Sequence, residues 1–128
     1  MIPRLTAPDA LAVPAGLFDA LVEAGFRGDM EGGADSRTVF ATDNSIYQIA
    51  PAAVVFPRDA ADLRLLVQVL ARPEYRSISL TPRGGGTGTN GQSLNTGLVV
   101  DCSRHMTRIL WIDVANRRAR VEAGVVKD

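Results

Sequence analysis

Residues 81–92 read Thr81-Pro82-Arg83-Gly84-Gly85-Gly86-Thr87-Gly88-Thr89-Asn90-Gly91-Gln92, and this stretch decides how the rest of the chain is arranged. An apolar, strand-like run ends here, and glycine, hydroxyl and amide residues take over. Successive glycines allow positive φ angles and let a ligand approach without meeting Cβ atoms, so several backbone N–H groups can converge on one anion. The stretch is therefore typical of a phosphate-binding loop.

The composition predicts one folded domain without a polyanionic partner. Of the 128 residues, 46% are hydrophobic and 22% charged, and 14 basic residues balance 14 acidic ones. We therefore expect no nucleic-acid binding, and no apolar run is long enough for a membrane span. Cys102 is the only cysteine, which excludes an internal disulfide and a cysteine-based metal site within these residues. A reducing compartment fits best, so we expect a cytoplasmic, unprocessed protein.

The first third of the chain predicts a helix, a loop and a turn. Apolar residues recur at helical spacing over residues 14–24, and Gly25 follows as a stop signal. The polar, glycine-rich residues 27–34 predict a surface loop. Residues 43–47 predict the capped start of a helical turn, because Asp and Ser side chains accept hydrogen bonds from nearby N–H groups. Composition gives no support for a ligand-binding role of this last segment.

A β-α-β unit is predicted next. Residues 52–56 form a continuous apolar run, typical of a central strand buried on both faces. Asp59 can cap a helix that ends at Arg72. The apolar face of that helix comprises Leu63, Leu66, Val67 and Leu70. Alternation in residues 77–81 indicates a second strand, whose end lies at the carboxyl edge of a parallel pair. Ligands of open α/β sheets bind at this edge, so we expect one at the glycine stretch.

The second half of the chain predicts further strands. Residues 98–102 form a short apolar strand, while residues 108–114 and 118–123 are separated only by a short segment with Asn116 at the turn, which predicts a hairpin. Trp111 is expected to be a core residue or a half-buried wall. The fold class is therefore α+β, with a parallel β-α-β unit followed by antiparallel strands.

Two common nucleotide-binding loops do not fit the glycine stretch. A P-loop needs Gly-Lys-Ser/Thr, and this stretch contains no lysine. A Rossmann fold needs a long helix after its glycines. Residues 86–91 match the glycine pattern, but a strand begins soon after Gly97 and leaves no room for that helix. A third possibility is a loop that wraps a pyrophosphate with backbone N–H groups alone and a single short turn of helix, as in flavin-binding folds outside the Rossmann class.

Several segments together resemble a flavoprotein family. They are residues 82–92, 97–109 and 119–125 and, upstream, residues 42–47 and 51–57. These segments resemble the FAD-binding domain of the vanillyl-alcohol oxidase and p-cresol methylhydroxylase (PCMH) type. Within that group, the chain is most similar to the amino-terminal part of large bacterial FAD-linked oxidases that act on D-2-hydroxy acids, such as D-lactate and D-2-hydroxyglutarate dehydrogenases.

The resemblance implies that the glycine stretch holds the pyrophosphate of FAD. The implied cofactor-binding residues are Arg83, Gly84, Gly85, Gly86, Thr87, Gly88, Thr89, Asn90 and Gly91. Backbone N–H groups are expected to contribute most, with hydroxyl and amide side chains adding hydrogen bonds. Arg83 either pairs with the phosphates or braces the loop against a carboxylate, and we favour bracing. No histidine lies between Thr81 and Gln92, so we expect non-covalent FAD.

Domain limits follow from the same resemblance. It implies an N-terminal helix and loop over residues 1–33 and, over residues 34–128, the first part of a PCMH-type domain that is incomplete at its carboxyl end. Catalytic residues, the substrate domain and, in large members, cysteine clusters for iron–sulfur centres lie further along, so we assign no catalytic residue or metal ligand here. The parent is expected to be a flavin-dependent oxidoreductase of a 2-hydroxy acid, and this part alone to be inactive.

Two questions stay open at this stage. Asp101, Ser103 and Arg104 match a family motif, but a strand-end turn with satisfied side chains explains them equally well, and His105 is expected to be structural or at the surface. The alternative function is a non-catalytic module in which the glycine stretch is structural. Such a module would form homo-oligomers through apolar surface exposed by truncation.

Overall fold

The computed structural model describes residues 13–127 as a mixed sheet with helices on its faces, followed by a hairpin. In chain order the elements are α1 (Leu17–Glu23), β1 (Asp29–Glu31), α2 (Ala34–Val39), β2 (Ala53–Phe56), α3 (Ala60–Leu70), β3 (Leu80–Arg83), β4 (Leu98–Asp101), β5 (Ile109–Asp113) and β6 (Arg118–Val121). Within the described residues, no helix has both the length and the apolar character that a membrane crossing requires.

The four-stranded sheet has the order β1-β2-β4-β3. Both β2 and β3 pair with β4 in parallel, whereas β1 pairs with β2 in antiparallel orientation. The predicted β-α-β unit is therefore present, but its two strands are not neighbours, because β4 lies between them. Every residue of β2 and β4 is buried, which explains why both sequences are continuously apolar.

Apolar clusters cover both faces of the sheet, because successive strand residues point to opposite sides. The larger cluster joins α1 and α3 to one face through Val55 of β2 and Val100 of β4. Phe40, at the C-terminal end of α2, packs against the smaller cluster on the other face, which comprises Val54, Phe56 and Val99. The interior strands thus lie between two apolar layers.

The predicted signals at two helix ends are confirmed. α1 ends where Gly25 takes a φ of +93° and donates to the Val22 carbonyl, as in a Schellman motif. α3 begins after Asp59, whose Oδ1 accepts the N–H groups of Ala61 and Asp62 at 2.9 and 3.1 Å. In both cases the signal acts within a few residues, so the sequence pattern is sufficient to find it.

The buried face of α3 differs from the predicted one. Val67 is 59% exposed, and Val69 is buried instead. The cause is Asp62, which is fully buried in the first turn and accepts the N–H groups of Arg27 and Arg58 at 3.2 and 2.9 Å. Positions 62 and 67 lie about 140° apart around a helix, so burying the aspartate turns Val67 outward.

Two predictions upstream of β2 are wrong. Residues 27–34 are not one continuous loop, because Asp29–Glu31 pairs with β2 as an edge strand whose acidic side chains bind Arg104 and His105. Residues 43–47 do not begin a helical turn. Side chains do accept the expected hydrogen bonds, but these close two successive non-helical turns, which the same local geometry also allows.

The second strand of the β-α-β unit begins later than predicted. Residues 77–79 belong to a turn region in which the Ile78 N–H donates to the Tyr75 carbonyl, and pairing starts at Leu80. The strand therefore extends to Arg83 and includes the first residues of the glycine stretch. Pro82 is tolerated there because β3 is an edge strand.

β4 and the hairpin follow the prediction. At the hairpin turn, Asn116 donates through its backbone and side-chain nitrogens to Asp113 at 3.1 and 2.8 Å, and Arg117 has a φ of +52°. Trp111 is not a core residue of the described chain, since it is 44% exposed, and the Arg118 guanidinium lies 5.6 Å from its ring centroid. Of the two predicted roles, only the half-buried wall fits.

Candidate functional site

The glycine stretch leaves the sheet at the carboxyl end of β3, beside the end of β4. Arg83 and Asp101 are the last residues of these strands and lie opposite each other. The Cys102 N–H donates to the Arg83 carbonyl at 2.9 Å and ties the two strand ends together. Residues 84–97 then return to the start of β4 without a helix, so the loop itself connects two adjacent parallel strands. This is the position that the sequence predicts.

Two glycines of the loop face open space. Among residues 13–127, a Cβ at Gly84 would meet no atom within 4 Å, and one at Gly85 would meet only a Thr87 methyl at 3.5 Å. Gly86 and Gly91, in contrast, have φ angles of +66° and +73°, which favour glycine for the sake of the backbone alone. The fold therefore explains glycine at positions 86 and 91. At positions 84 and 85 the described residues do not require glycine, and the absence of a Cβ leaves the backbone open to close approach by a ligand.

Residues 43–47 lie against this loop. The Asn44 N–H donates to the Gly86 carbonyl at 3.0 Å. The Tyr47 ring lies so close to Gly91 that a Cβ there would come within 2.9 Å of a ring carbon. Composition alone does not predict a role for residues 43–47 at the site. The sequence does not indicate their contact with the glycine loop, because the two segments are far apart along the chain.

Asp43 supplies the acidic group of this segment. Its Oδ1 accepts the Ser45 N–H at 2.8 Å, and its Oδ2 accepts the Ser93 hydroxyl at 2.9 Å. Hydrogen bonding by Ser45 lowers the pKa of the Asp43 carboxyl, and Ser93 and the positive charge of Arg83 lower it further. Asp43 is therefore ionised at neutral pH and links residues 43–47 to the end of the glycine stretch.

The middle of the loop presents polar side chains to solvent. Thr87, Thr89 and Asn90 are exposed, and within residues 13–127 their hydroxyl and amide groups make no hydrogen bond. The Asn90 N–H donates to Gln92 Oε1 at 3.1 Å, and the Gln92 side chain fills the space beside Gly88 that a Cβ would need. Gln92 thus shapes the loop from within, while the exposed groups remain available to a ligand.

The return of the loop is fixed by Asn95. Its Oδ1 accepts the Ser79 hydroxyl at 2.7 Å and the Gly97 N–H at 2.8 Å, and its Nδ2 donates to the Thr81 hydroxyl at 2.9 Å. A Cβ at Gly97 would overlap the Ser79 carbonyl oxygen. Asn95 therefore joins β3 to the start of β4, a role that the sequence analysis missed.

Arg83 packs directly under the loop. A Cβ at Gly86 would lie 2.5 Å from its Nη2, and its Cζ lies 5.1 Å from the centroid of the Phe40 ring. Its Nη1 is buried and has no hydrogen-bond partner in the described part of the chain. The side chain thus rests on an aromatic ring and a glycine, and among the described residues it forms no ion pair with a carboxylate.

Beyond β4, the polar residues are satisfied by one another. Asp101 is buried, and its Oδ1 accepts the Ser103 N–H and hydroxyl and the Arg104 N–H, which supports the interpretation as a strand-end turn. His105 pairs with Asp29 at 2.6 Å and, by this hydrogen bond, lowers the pKa of that carboxyl. Asp29 lies on β1, at the opposite edge of the sheet from β3.

Comparison with known proteins places the chain in a family. The model of the FAD binding domain family matches residues 51–128, which is more than half of the chain. The chain belongs to this FAD-binding domain family. Its fold is also similar to part of alkyldihydroxyacetonephosphate synthase, with a TM-score of 0.67 over 84% of the chain and 22% of the synthase at 21% identity. The predicted α+β fold class is thereby confirmed.

In amino-acid sequence, the chain is similar to part of several D-2-hydroxyglutarate dehydrogenases. It is 49% identical to the Escherichia coli dehydrogenase over 129 residues, which is all of this chain and 13% of that protein. It is 55% identical to the Pseudomonas putida dehydrogenase over 111 residues, or 87% of this chain and 11% of that protein. The chain therefore spans about an eighth of the length of these curated relatives.

The site of this FAD-binding domain suits a pyrophosphate. Within residues 13–127, it combines open glycines at positions 84 and 85 with exposed hydroxyl and amide groups. A pyrophosphate carries concentrated negative charge and many acceptor oxygens, so it matches donors of this kind. Within residues 13–127 no group of His, Cys, Asp and Glu side chains could hold a metal ion. The donors present thus fit the phosphate end of FAD.

Proposed function

We propose that residues 83–91 bind the pyrophosphate of FAD. The observation that carries the proposal is the open space at Gly84 and Gly85, since the fold itself does not require glycine there. Loop N–H groups would supply most of the hydrogen bonds, and Thr87, Thr89 and Asn90 would add side-chain donors. No histidine is available in the loop, so the flavin would be held without a covalent bond.

We further propose that the chain serves a dehydrogenase of D-2-hydroxy acids, most simply D-2-hydroxyglutarate. Identities of 49% and 55% to D-2-hydroxyglutarate dehydrogenases support this substrate class. FAD, when bound, supplies the hydride acceptor for the substrate α-carbon. The role of these residues is to hold and orient the cofactor by its phosphates, while the groups that act on substrate lie outside them.

The test compares three glycine-to-alanine variants of the full-length protein that carries this chain. Gly84→Ala and Gly85→Ala should each weaken FAD binding about tenfold or more, because the added methyl group occupies the ligand's space. Gly33→Ala is the matched control, since a Cβ there also meets no atom within 4 Å but lies outside the loop. Flavin fluorescence gives the FAD dissociation constant, and thermal unfolding of the apoprotein gives stability.

All three apoproteins should be as stable as the wild type, since none of the added methyl groups meets a clash. Unchanged FAD affinity in Gly84→Ala and Gly85→Ala would refute the assignment of the loop. Loss of affinity matched by an equal loss of apoprotein stability would also refute it, because the glycines would then be structural.

A self-associating module is the second candidate, and the hairpin favours it. An isolated two-stranded hairpin is only marginally stable in water, yet the hairpin exposes large apolar side chains. These side chains, between 44% and 81% exposed, are Ile109, Leu110, Trp111, Ile112, Val114 and Val121. Sedimentation of the 128-residue chain should then show dimers that Ile112→Lys disrupts and that Val22→Lys, on exposed α1 surface, does not. A monomer at all concentrations would exclude this candidate.

A further inference from the structure

Residues 43–47 form a compact turn whose own hydrogen bonds do not involve the glycine loop. Inside the turn, the Asp43 and Ser45 side chains each accept an N–H group two residues further on, at 2.8 and 3.1 Å. At its ends, Thr42 pairs with Gln48 in antiparallel orientation. All of these bonds are local, so the turn has a shape of its own.

The glycine loop, in contrast, has little internal structure. Residues 84–97 connect β3 to β4 without a helix or a strand, and glycine loses more conformational freedom on folding than any other residue. Among residues 13–127, the hydrogen bonds that this loop makes within itself are concentrated at residues 90–97, near its return to β4. Residues 84–89 therefore depend on other segments for their position.

The turn contacts the glycine loop on both sides of its exposed middle. On one side, the Asn44 N–H donates to the Gly86 carbonyl at 3.0 Å. On the other side, the Tyr47 ring packs against Gly91. Residues 87–90, which carry the exposed hydroxyl and amide groups, lie between these two contacts. The turn thus holds both ends of the segment that presents donors to solvent.

Asp43 joins the turn to the loop through a charged group. Its Oδ2 accepts the hydroxyl of Ser93 at 2.9 Å, and Ser93 is only 7% exposed, while its Oδ1 accepts the N–H group within the turn. A hydrogen bond to an ionised carboxylate is stronger than one between neutral groups. One side chain therefore links a turn of defined shape to a loop that has little structure of its own.

We propose that residues 43–47 hold the glycine loop in the conformation that binds the pyrophosphate, and that Asp43 is a positioning residue for the cofactor. The inference rests on the proposed function and extends it to residues outside the loop. Asp43 acts through Ser93 rather than by touching the ligand, because a carboxylate and a pyrophosphate repel each other. Its contribution is to order the loop before the ligand arrives, which lowers the entropy cost of binding.

The first test measures FAD affinity in the full-length protein that carries this chain. Asp43→Ala removes both hydrogen bonds and should weaken FAD binding about three- to tenfold, because only a fraction of the apoprotein then has the competent loop. Asp43→Asn should bind FAD like the wild type, since its oxygen still accepts the Ser45 N–H and its NH₂ group donates to the Ser93 hydroxyl oxygen. Asp35→Ala, which removes an exposed aspartate of α2, is the control and should leave the affinity unchanged.

Limited proteolysis of the apoprotein tests the positioning without any ligand. Trypsin should cleave after Arg83 at least about tenfold faster in Asp43→Ala than in the wild type, because the loop opens more often. Cleavage after Arg76, which is exposed in the turn before β3, is the internal reference and should not change. The thermal midpoint should stay close to the wild-type value, since opening of the loop leaves the sheet in place.

Three results would overturn the proposal. The first is an equal loss of affinity in Asp43→Asn and Asp43→Ala, because charge rather than hydrogen bonding would then act on the cofactor. The second is an unchanged rate of cleavage after Arg83 in Asp43→Ala. The third is a loss of affinity in Asp43→Ala that is matched by a fall in the thermal midpoint and by faster cleavage after Arg76, since Asp43 would then stabilise the whole fold.

The outcomes also separate this inference from the function on which it rests. If Gly84→Ala weakens FAD binding while Asp43→Ala changes neither the affinity nor the cleavage, only the positioning role fails. If Asp43→Ala speeds cleavage after Arg83 but neither variant changes FAD affinity, the assignment of the loop to the pyrophosphate fails, and positioning for the cofactor fails with it.

Discussion

Replacing Asp62 by asparagine tests how much the buried hydrogen bonds of this side chain contribute to the stability of the fold. The carboxylate is fully buried, accepts the N–H groups of Arg27 and Arg58, and lies 3.4 Å from the Arg27 Nε. Asparagine has nearly the same shape but only one acceptor oxygen, so its NH₂ group would face one of these N–H groups. We therefore expect Asp62→Asn to lower the free energy of unfolding substantially.

The magnitude follows from the bonds that are lost. One charge-assisted hydrogen bond and one buried N–H left unsatisfied cost about 2–3 kcal/mol. Loss of the negative charge at the N-terminus of α3 adds about 0.5 kcal/mol, for a total of about 3 kcal/mol. In a domain of this size that corresponds to a fall of about 10 °C in the thermal midpoint.

Chemical denaturation followed by circular dichroism measures this difference. The matched control is Asp19→Asn, which removes an exposed aspartate from the first turn of α1 and should cost no more than about 0.5 kcal/mol. Equal effects of the two substitutions would show that Asp62 stabilises α3 only through its charge and that the buried hydrogen bonds contribute nothing.

Three further predictions concern the loop return, the hairpin and the thiol. Gly97→Ala places a Cβ on the Ser79 carbonyl oxygen, so it should separate β3 from β4 and lower stability by about 3 kcal/mol or more; an unfolding midpoint like that of the wild type would contradict this. Hydrogen bonding by Arg108 lowers the pKa of the Glu122 carboxyl below its ordinary value of 4.5. The ionised carboxylate therefore stabilises the fold fully above pH 4.5, and this stabilisation is lost as the pH falls through the lower pKa that the carboxyl has in the folded protein. Fluorescence of the hairpin tryptophan should report this loosening below about pH 4.5, and Glu122→Gln should abolish that pH dependence. Burial raises the pKa of the Cys102 thiol, so a thiol reagent at pH 8 should react slowly with the native protein and rapidly in urea; fast native reaction would show that the thiol is not enclosed.

The features that sequence reasoning located correctly are local ones. The Asp59 cap, the Gly25 stop and the turn at Asn116 each depend on side chains within a few residues of the backbone that they bind. The burial of β2 on both faces is equally local, since a continuous apolar run already requires two apolar layers. The position of the glycine loop follows from the carboxyl end of its own strand.

The features that it missed depend on contacts between distant residues. β1 is only three residues long and two of them are acidic, and it is a strand because β2 offers it an edge. Asp62 lies in an apolar stripe only because the N–H groups of Arg27 and Arg58 come to it from other segments. The sequence pattern contains neither partner, so period and composition favour the simpler, wrong alternatives.

The candidate site likewise contains local features that the sequence indicates and distant contacts that it does not. Glycine content marks residues 84–91, but nothing in the sequence places Phe40 under Arg83 or Asn44 against Gly86. Both contacts are made by the segment that follows α2, which is far from the loop along the chain. Sequence patterns do not indicate such contacts, because they depend on how the strands and helices pack.

The interior position of β4 has a consequence for how the protein folds. β4 is the last of the four sheet strands along the chain, yet it supplies the hydrogen bonds for both β2 and β3. During synthesis, β2, α3 and β3 emerge first with unpaired parallel edges, and the sheet can close only after the glycine loop has crossed back over it. Closure of the sheet therefore requires the loop to have crossed from β3 to β4. A ligand bound to the loop would slow the opening of the sheet and so lengthen the lifetime of the native state.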